Sequence, residues 1–410
     1  MSYTPKPLMP VKDALEAMLA AARTVDGVES VPTLEANGRV LAEALHSTID
    51  VPAADNTQMD GYAVRSADCA GGAATLRVAQ RIPAGQVGTC LEPGTAARIF
   101  TGALIPEGAD AVVMQEQCEL SADGSTVTVR HAPAPGEWIR RQGEDIRTGG
   151  VVVEAGARLR SQELGLAASV GLAAVKVRRR LRVGLFFTGD ELTMPGEAPG
   201  GVLPPGGIYN SNRFLLRALL ENLGCLIEDF GNVPDTLDAT RATLRKAAAG
   251  CDLIITSGGV SVGEEDHVKP AVEAEGRLNM WQIAVKPGKP LAFGEVGKAF
   301  FLGLPGNPVS SFVTFLVFVR PFILRMQGAS ARAPRSFMLP AAFDWPRPDK
   351  RNEFLRVRVN DDGALELFPN QGSAVLTSTA WADGLVDNPP AKAIAPGDLV
   401  RFIPFSELLA

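Results

Sequence analysis

The feature that most constrains this fold is an alternation of short apolar runs with amphipathic helical patterns after residue 180. The runs LRVGLFF (181–187), CLIEDFGNV (225–233) and CDLIITS (251–257) are each followed by a stretch with helical spacing of apolar residues. This alternation predicts a parallel β-sheet that helices cover on both faces through right-handed crossovers. Ligands of such sheets bind beyond the carboxyl ends of the strands, so the loops there hold the candidate site.

The rest of the chain has a different character. PLAFGEV and KAFFLGL predict a β-hairpin, and Pro308 opens a helix that extends to Met326. Residues 11–22 and 32–45 show helical spacing, whereas 48–157 consists of short apolar runs separated by Gly and Pro. The runs FLRVRV, LELFP and LVRFIP near the end predict a small all-β domain. We therefore predict a multidomain α/β protein with a central parallel-sheet domain, β-rich N-terminal domains and a small C-terminal β domain.

Charge and composition bear on the possible partners. The formal net charge is −6 and no long basic tract is present, which argues against a nucleic-acid partner. The first residues lack the basic head and apolar core of a secretory signal, and the apolar run Val309 to Val319 is too short to span a bilayer. We predict a cytoplasmic protein without a membrane partner. Its five scattered cysteines predict reduced, buried structural thiols.

The stretch TSGGVSVGEEDH (256–267) contains the G-x-S-x-G pattern of serine hydrolases. That mechanism requires a histidine and an acid after the serine, on separate strands. Only His267 follows Ser261, six residues later, so we reject the hydrolase interpretation.

The same glycines suit an anion cradle. Glycine lets backbone N–H groups approach an anion, and the hydroxyls of Ser257 and Ser261 are further donors. The alternative is that Gly258, Gly259 and Gly263 only form a tight strand-to-helix turn. The stretch alone leaves both interpretations open.

Other predicted strand ends carry similar groups. LFFTGDEL places Thr188, Gly189, Asp190 and Glu191 after one strand, and FGNVPDT places Asp235 after another. Gly306, Asn307 and Ser310 begin the last helix. Taken singly, each acid is explained by a helix cap or a solvated loop, but Asp190, Glu191, Asp235 and Asp266 together suit a hard cation with phosphate ligands.

Two groups of polar and charged residues can each be interpreted in two ways. Lys286 and Lys289 flank a Pro-Gly turn, either aimed at an oxyanion or exposed at a hairpin entry. In the N-terminal half, Asp60, Thr101, Arg140 and Asp145 lie in polar segments. One interpretation is buried arginine–carboxylate pairing inside one domain, since Arg140 and Arg141 come just before Glu144 and Asp145; the other is a polar wall that faces the ligand of another domain.

Seven segments in order resemble the MoeA family of molybdopterin molybdenumtransferases, a module that also forms the C-terminal part of gephyrin. They are DNTQMDGYAVR, RIFTGALIPEGADAVVMQEQ, RRQGEDI, FTGDEL, TSGGVSVGEEDHVK, KPGKPLAFG and GLPGNPVSSFVTF. The resemblance covers nearly the whole chain. In one departure, related sequences often carry a lysine four positions before Lys286, where this chain has Gln282.

The resemblance implies an enzyme that takes adenylylated molybdopterin and molybdate and releases AMP and molybdenum cofactor with Mg²⁺. It also implies an elongated homodimer of four-domain subunits, with small-molecule substrates and contacts to an adenylyltransferase and to cofactor-delivery proteins. The expected domains are 1–47 with 146–178 (helical linker and small β domain), 48–145 (β-rich), 179–328 (α/β, molybdopterin-binding) and 329–410 (C-terminal β).

The resemblance also implies roles for individual residues. The catalytic set is Asp60, Thr101, Asp145, Glu191, Asp235 and Asp266, of which Glu191, Asp235 and Asp266 hold Mg²⁺. Asp60, Thr101, Arg140 and Asp145 complete the site across the dimer. The substrate-binding set is Arg140, Thr188, Gly189, Asp190, Ser257, Gly258, Gly259, Ser261, Gly263, Lys286, Lys289, Pro305, Gly306, Asn307, Pro308, Ser310, Arg351 and Ser373.

Two alternative functions remain. The first is a molybdopterin adenylyltransferase, because the parallel-sheet segment alone resembles that enzyme. The second is a scaffold that binds a partner peptide, as gephyrin does.

Overall fold

The computed structural model describes residues 8–259, 267–330 and 332–409. Its central sheet has six strands: β1 (Arg182–Thr188), β2 (Leu226–Val233), β3 (Leu253–Ser257), β4 (Gly276–Gln282), β5 (Pro290–Val296) and β6 (Ala299–Leu304). They lie in the order β2-β1-β3-β6-β5-β4. Strands β2, β1, β3 and β6 are parallel to one another, and β5 and β4 join this sheet through antiparallel pairing. The predicted parallel sheet and the β5–β6 hairpin are therefore confirmed. Strand β4 was not predicted, because Arg277 and Asn279 interrupt its apolar pattern.

Helices cover both faces of this sheet. They are α1 (Ser211–Asn222), α2 (Leu237–Gly250), α3 (Val268–Glu275) and α4 (Pro308–Thr314). The side chains of Asn210 and Thr236 cap α1 and α2 by accepting the first free backbone N–H groups. Strand β1 is buried on both sides, since Leu185 and Phe187 belong to one apolar cluster and Phe186 to another. Burial on both faces is what the continuous apolar runs predicted.

The last helix of this segment changes geometry midway. After α4 it is π-helical over Phe315–Val319 and α-helical again over Arg320–Met326. Pro321 has no backbone N–H to donate, which favours a local change of hydrogen bonding there. By length and composition the helix Pro308–Met326 could cross a membrane, but 72% of its most apolar window is buried in this fold. It is therefore the core helix of the domain.

The N-terminal part is built from small sheets. One has six strands, and three strand pairs and two helices surround it. The six strands are Gly61–Val64, Ala74–Ile82, Thr95–Ile99, Ala111–Met114, Cys118–Leu120 and Thr126–Val129. The pairs are Val28–Pro32 with Ala174–Arg178, Leu45–His46 with Val151–Val153, and Asn56–Thr57 with Ile139–Arg140, and the helices are Val11–Ala21 and Ser161–Ser169.

The helix predicted for residues 32–45 is wrong, and the prediction of buried thiols is confirmed for three of the five cysteines. Residues 32–45 form no α-helix: a 3₁₀ turn at Thr33–Glu35 is followed by Gly38 with φ +74°, where the chain turns back to pair with the strand Ala174–Arg178. Leu41 and Leu45 are buried in one apolar cluster with Val177 of that strand and Ala167 of the helix Ser161–Ser169, whereas Leu34 is 93% exposed. Among the thiols, Cys69, Cys225 and Cys251 are buried, but Cys90 is exposed.

The C-terminal part is the predicted small β domain. Its strands are Phe337–Pro340, Asn352–Val359, Leu365–Leu367, Gly384–Asn388 and Leu399–Pro404, with short helices at Thr377–Trp381 and Phe405–Leu408. One strand of its sheet, Val285–Lys286, comes from the α/β segment and pairs in parallel with Asn352 and Glu353. The shared strand ties the Pro-Gly turn after Lys286 to this domain.

The packing of Phe322 gives a test of the core. Its ring is fully buried and meets the rings of Phe293 and Phe300 edge-on at 5.5 and 5.1 Å. We predict that Phe322→Ala lowers the free energy of unfolding by about 3–5 kcal/mol, since it removes a buried aromatic side chain and leaves a cavity. Urea denaturation followed by circular dichroism measures this.

The matched control is Phe214→Ala, because Phe214 on α1 is 55% exposed. A surface substitution of this kind should stay within about 0.5 kcal/mol. Equal losses in the two variants would contradict the packing described here.

Candidate active site

A cavity of about 740 Å³ opens beyond the carboxyl ends of β1, β3 and β6. The α/β domain forms its floor, and residues of the C-terminal domain form one wall. Many of the predicted site residues line it, namely Thr188, Glu191, Ser257, Gly258, Gly259, Lys286, Lys289, Pro305, Gly306, Asn307, Pro308, Ser310, Arg351 and Ser373. Gly189, Asp190 and Asp235 do not line it, and Ser261, Gly263 and Asp266 lie outside the described residues.

The floor of the cavity is bare backbone. Gly258 and Gly259 have φ of +92° and +62°, which an L side chain rarely adopts. A Cβ on Gly306 would lie 3.6 Å from the Cα of Gly258, so the two glycine turns are close neighbours. A ligand can therefore approach the main chain of both turns directly.

Ser257 holds this floor together from beneath. Its side chain is buried, and its hydroxyl donates to the carbonyl of Pro305 at 2.9 Å and lies 2.9 Å from the hydroxyl of Ser311. The amide of Asn212 donates both to the Ser257 hydroxyl at 2.8 Å and to the carbonyl of Gly306 at 2.7 Å. Sequence reasoning missed Asn212, because the NSN segment signals only a helix start and Asn210 is the residue that caps it.

Carboxylates gather at the end of β1. Glu191 lines the cavity, and the hydroxyl of Thr188 donates to Asp235 at 2.8 Å. Within the described ranges there is no group of three or more His, Cys, Asp or Glu side chains placed to hold a metal. Mg²⁺ in proteins commonly takes one or two carboxylates together with water and substrate phosphates, and Glu191 is a carboxylate in the cavity lining that suits such an ion.

Cations lie on the opposite side of the cavity, and two of them are paired. Arg351 donates from Nε and Nη2 to both oxygens of Asp349, at 2.9 and 2.8 Å. Lys286 lies 3.1 Å from Glu353 and 3.5 Å from Asp349. Hydrogen bonds from Arg351 hold the pKa of Asp349 far below its usual range. Lys289 is exposed and makes no ion pair with any residue that the structure describes.

The wall from the C-terminal domain is braced by a buried arginine. Arg356 is 1% exposed and donates to the hydroxyl of Ser378 at 3.1 Å and to the carbonyls of Phe354 and Gly372 at 3.3 and 3.2 Å. Burial lowers the pKa of this guanidinium to about 10, so it stays charged at neutral pH. Next to Gly372, the carbonyl of Ser373 accepts from the backbone N–H of Val309 on α4 at 3.0 Å. The alternating pattern of FLRVRV predicts a strand, but the pattern does not show which of its two arginines is buried.

The structure brings Asp60 and Thr101 together away from this cavity. Both the backbone N–H and the hydroxyl of Thr101 donate to Asp60 at 2.7 Å, and these bonds lower the pKa of Asp60. Arg140 pairs through the main chain with Asn56, and both Nε of Arg140 and Oδ1 of Asn56 are buried without a hydrogen-bond partner. Asp145 is exposed. None of the four predicted N-terminal residues lines the cavity of its own chain.

Arginine–carboxylate pairing inside this region involves other residues. Arg141 pairs with Asp55 at 2.6 Å, and its backbone N–H donates to Glu144. Asp145 and Arg140 take no part in these bonds. The pairing interpretation therefore accounts for Arg141 but not for Arg140.

Comparison with known proteins covers nearly the whole chain. Residues 9–171 match the model of the MoeA N-terminal region (domain I and II), 184–325 a probable molybdopterin binding domain, and 338–405 the MoeA C-terminal region (domain IV). A molybdopterin molybdenumtransferase of Haemophilus influenzae is 42% identical over 382 residues, 92% of this chain and 93% of that protein. One from Nostoc sp. is 37% identical, covering 86% of this chain and 83% of that protein.

Solved structures show the same architecture. The crystal structure of a molybdopterin biosynthesis moeA protein from Pyrococcus horikoshii OT3 superposes with a TM-score of 0.84 at 30% identity. The match covers 97% of this chain and 100% of that one. The predicted fold class, with β-rich N-terminal domains and a small C-terminal β domain, is confirmed.

The Asp60–Thr101 contact is testable by titration. We predict that Thr101→Val raises the pKa of Asp60 part of the way to its usual value, because the hydroxyl bond is lost while the backbone bond remains. Thr101→Ser keeps the hydroxyl and should leave the pKa low. Carboxyl ¹³C NMR through an acid titration measures both.

The sign of the pH effect follows from the lowered pKa. The contact stabilises the folded state above the unfolded pKa of Asp, about 4, and this contribution is lost as the pH falls through the lower folded value. An unchanged pKa in the valine variant would show that the Thr101 hydroxyl does not hold Asp60.

Proposed function

Because this chain belongs to the MoeA family, and so is a transferase of molybdenum cofactor biosynthesis, we propose that it inserts molybdate into adenylylated molybdopterin and releases AMP in a Mg²⁺-dependent reaction. The observation that carries the proposal is the cavity of about 740 Å³, lined by the carboxylate Glu191 near the end of β1, by the cations Lys286, Lys289 and Arg351 near the C-terminal domain, and by bare glycine turns. This arrangement suits a substrate with a phosphoanhydride and a second, tetrahedral anion.

The carboxylate side handles the phosphoanhydride. When bound, Mg²⁺ neutralises phosphate charge and helps to orient the attacking water. Glu191 and Asp235 hold the ion together with Asp266, and the hydroxyl of Thr188 fixes one oxygen of Asp235. The backbone N–H of Gly258 donates to the carbonyl of Leu304 at 3.1 Å, so we assign the N–H of Gly259 to the phosphates in the anion-cradle interpretation.

The cation side receives molybdate. A tetrahedral dianion suits ammonium, guanidinium and hydroxyl donors. We assign Lys286, Lys289 and Arg351 to this task, with Ser310, Ser373 and the turn Pro305–Pro308 around them. Gln282 is exposed and supplies no charge where relatives often carry a lysine. The sulfur ligands of the metal come from the pterin, so the scattered thiols are no obstacle.

A second subunit completes the site. We infer a homodimer in which Asp60, Thr101, Arg140 and Asp145 of one chain face the cavity of the other. None of the four lines the cavity of its own chain, which supports a site completed by the other subunit. The four-domain division, a cytoplasmic location and contacts to an adenylyltransferase and to cofactor-delivery proteins belong to the same proposal.

The carboxylate assignments predict a large loss of activity. We expect Asp235→Asn and Glu191→Gln to lower the rate of AMP release about 100-fold. Each removes a negatively charged side chain that would hold the ion, and the ion stabilises the transition state. The assay contains adenylylated molybdopterin, molybdate and Mg²⁺. Asp238→Asn, an exposed acid in the first turn of α2, is the control and should retain full activity.

The alternatives predict different results. In a separate incubation with ATP and molybdopterin, accumulation of adenylylated molybdopterin would favour the adenylyltransferase. Full activity in both acid variants would remove the catalytic assignment of Glu191 and Asp235, and no AMP release by the wild-type chain would favour the scaffold function.

The cross-subunit site predicts complementation. Asp60→Ala and Asp235→Ala chains should each be inactive alone. Co-expressed in equal amounts, half of the dimers would be mixed and carry one intact site of two, giving roughly a quarter of wild-type activity. No recovery in the mixture would mean that both residues serve the same chain's site.

A further inference from the structure

The two cations on the C-terminal side of the cavity already have anionic partners from their own chain. Lys286, Arg351, Asp349 and Glu353, here called the counter-ion cluster, hold two formal positive and two formal negative charges. Arg351 and Asp349 form a bidentate pair, and Lys286 lies near both acids. An oxyanion that enters this side therefore meets a cluster of zero formal charge.

The two carboxylates differ in how firmly they are held. Glu353 is fully buried and also accepts from Trp345 Nε1 at 2.8 Å and from the backbone N–H of Asp349 at 3.1 Å. It is part of the sheet framework. The Asp349 side chain is 24% exposed, and its hydrogen bonds are with Arg351, whose backbone N–H it also accepts at 3.0 Å. Asp349 is the carboxylate that an incoming anion can replace.

Asp349 occupies the edge of Arg351 that recognises oxyanions. The Nε and Nη2 edge of a guanidinium binds two oxygens side by side, and here both oxygens come from Asp349. The remaining nitrogen, Nη1, lies 3.5 Å from the carbonyl of Val285. Within the described part of the chain, Lys289 is thus the lysine of this cavity that is free of an ion pair.

We propose that Asp349 is an internal competitor of the oxyanion and sets how tightly the cavity holds it. The inference rests on the proposed function and concerns the molybdate side of the same site. Asp349 shares Arg351 and Lys286 with the bound dianion or yields them to it, so its negative charge weakens binding. A site restrained in this way fills at higher molybdate concentration and empties readily when no pterin substrate is present.

The test is molybdate binding to the full chain by isothermal titration calorimetry, without pterin or nucleotide. We expect Asp349→Asn to bind molybdate about tenfold more tightly than wild type, because a nearby like charge is removed from a partly desolvated site. Asp349→Glu keeps the charge and should bind like wild type. Asp344→Asn, an exposed acid five residues away, makes the same change in net charge and should leave the affinity unchanged.

Salt dependence provides a second measurement. The added affinity of Asp349→Asn should shrink modestly as sodium chloride is raised, since the Asp349 side chain is 24% exposed and salt screens its charge only in part. If circular dichroism shows that the asparagine variant is not folded, Asp349→Ser is measured by the same criteria. Unchanged molybdate binding in the folded variant overturns the inference. Weaker binding also overturns it and makes Asp349 a residue that positions Arg351 for the oxyanion.

The outcomes separate this inference from the proposed function. Wild-type binding with no gain in Asp349→Asn rejects the competitor alone. Failure of the wild type and of every variant to bind molybdate rejects the oxyanion site and the inference with it. A gain in Asp344→Asn equal to that in Asp349→Asn would assign the effect to net charge and also reject the inference.

Discussion

The site depends on the parallel alignment of β1, β2, β3 and β6. Parallel strands end at the same edge of a sheet, so the loops after Thr188, Val233, Ser257 and Leu304 meet there although they are far apart in sequence. The hydroxyl of Ser257 and the amide of Asn212 then fix the loops after β3 and β6 to one another. Without that alignment the glycines, acids and lysines would be unrelated loop residues.

Strand ends and glycines were predictable because their signals are local. Apolar runs located the strands, and residues at or just after their ends line the cavity, as Thr188, Gly258 and Gly306 do, although Gly189, Asp190 and Asp235 do not. Asn212, Arg356 and Asp349 were missed, since their roles come from contacts with residues that are distant in the fold. The helical pattern at 32–45 failed for the same reason: Leu41 and Leu45 are buried by strands and a helix that lie more than 100 residues later in the sequence.

Some predictions are not decided by the fold. Asp266, Ser261 and Gly263 lie outside the described residues, and the domain boundaries and individual site roles stay predictions. Ser257 illustrates a partial success. It lies at the cavity as predicted, yet its hydroxyl is engaged with Pro305 and Ser311, so its contribution is to shape the floor rather than to offer a free donor.

One apolar cluster continues from the central sheet through Phe312 into the C-terminal domain, where it includes Phe354 and Phe405. The rings of Phe312 and Phe405 meet edge-on at 5.4 Å. The floor and the facing wall of the cavity therefore share a hydrophobic interior as well as a strand. Separating the two domains would expose that apolar interior to water. A ligand therefore enters through the existing opening of the cavity and not by closure of one domain onto the other. The entropy of ordering those walls is lost when the chain folds and not again at each turnover.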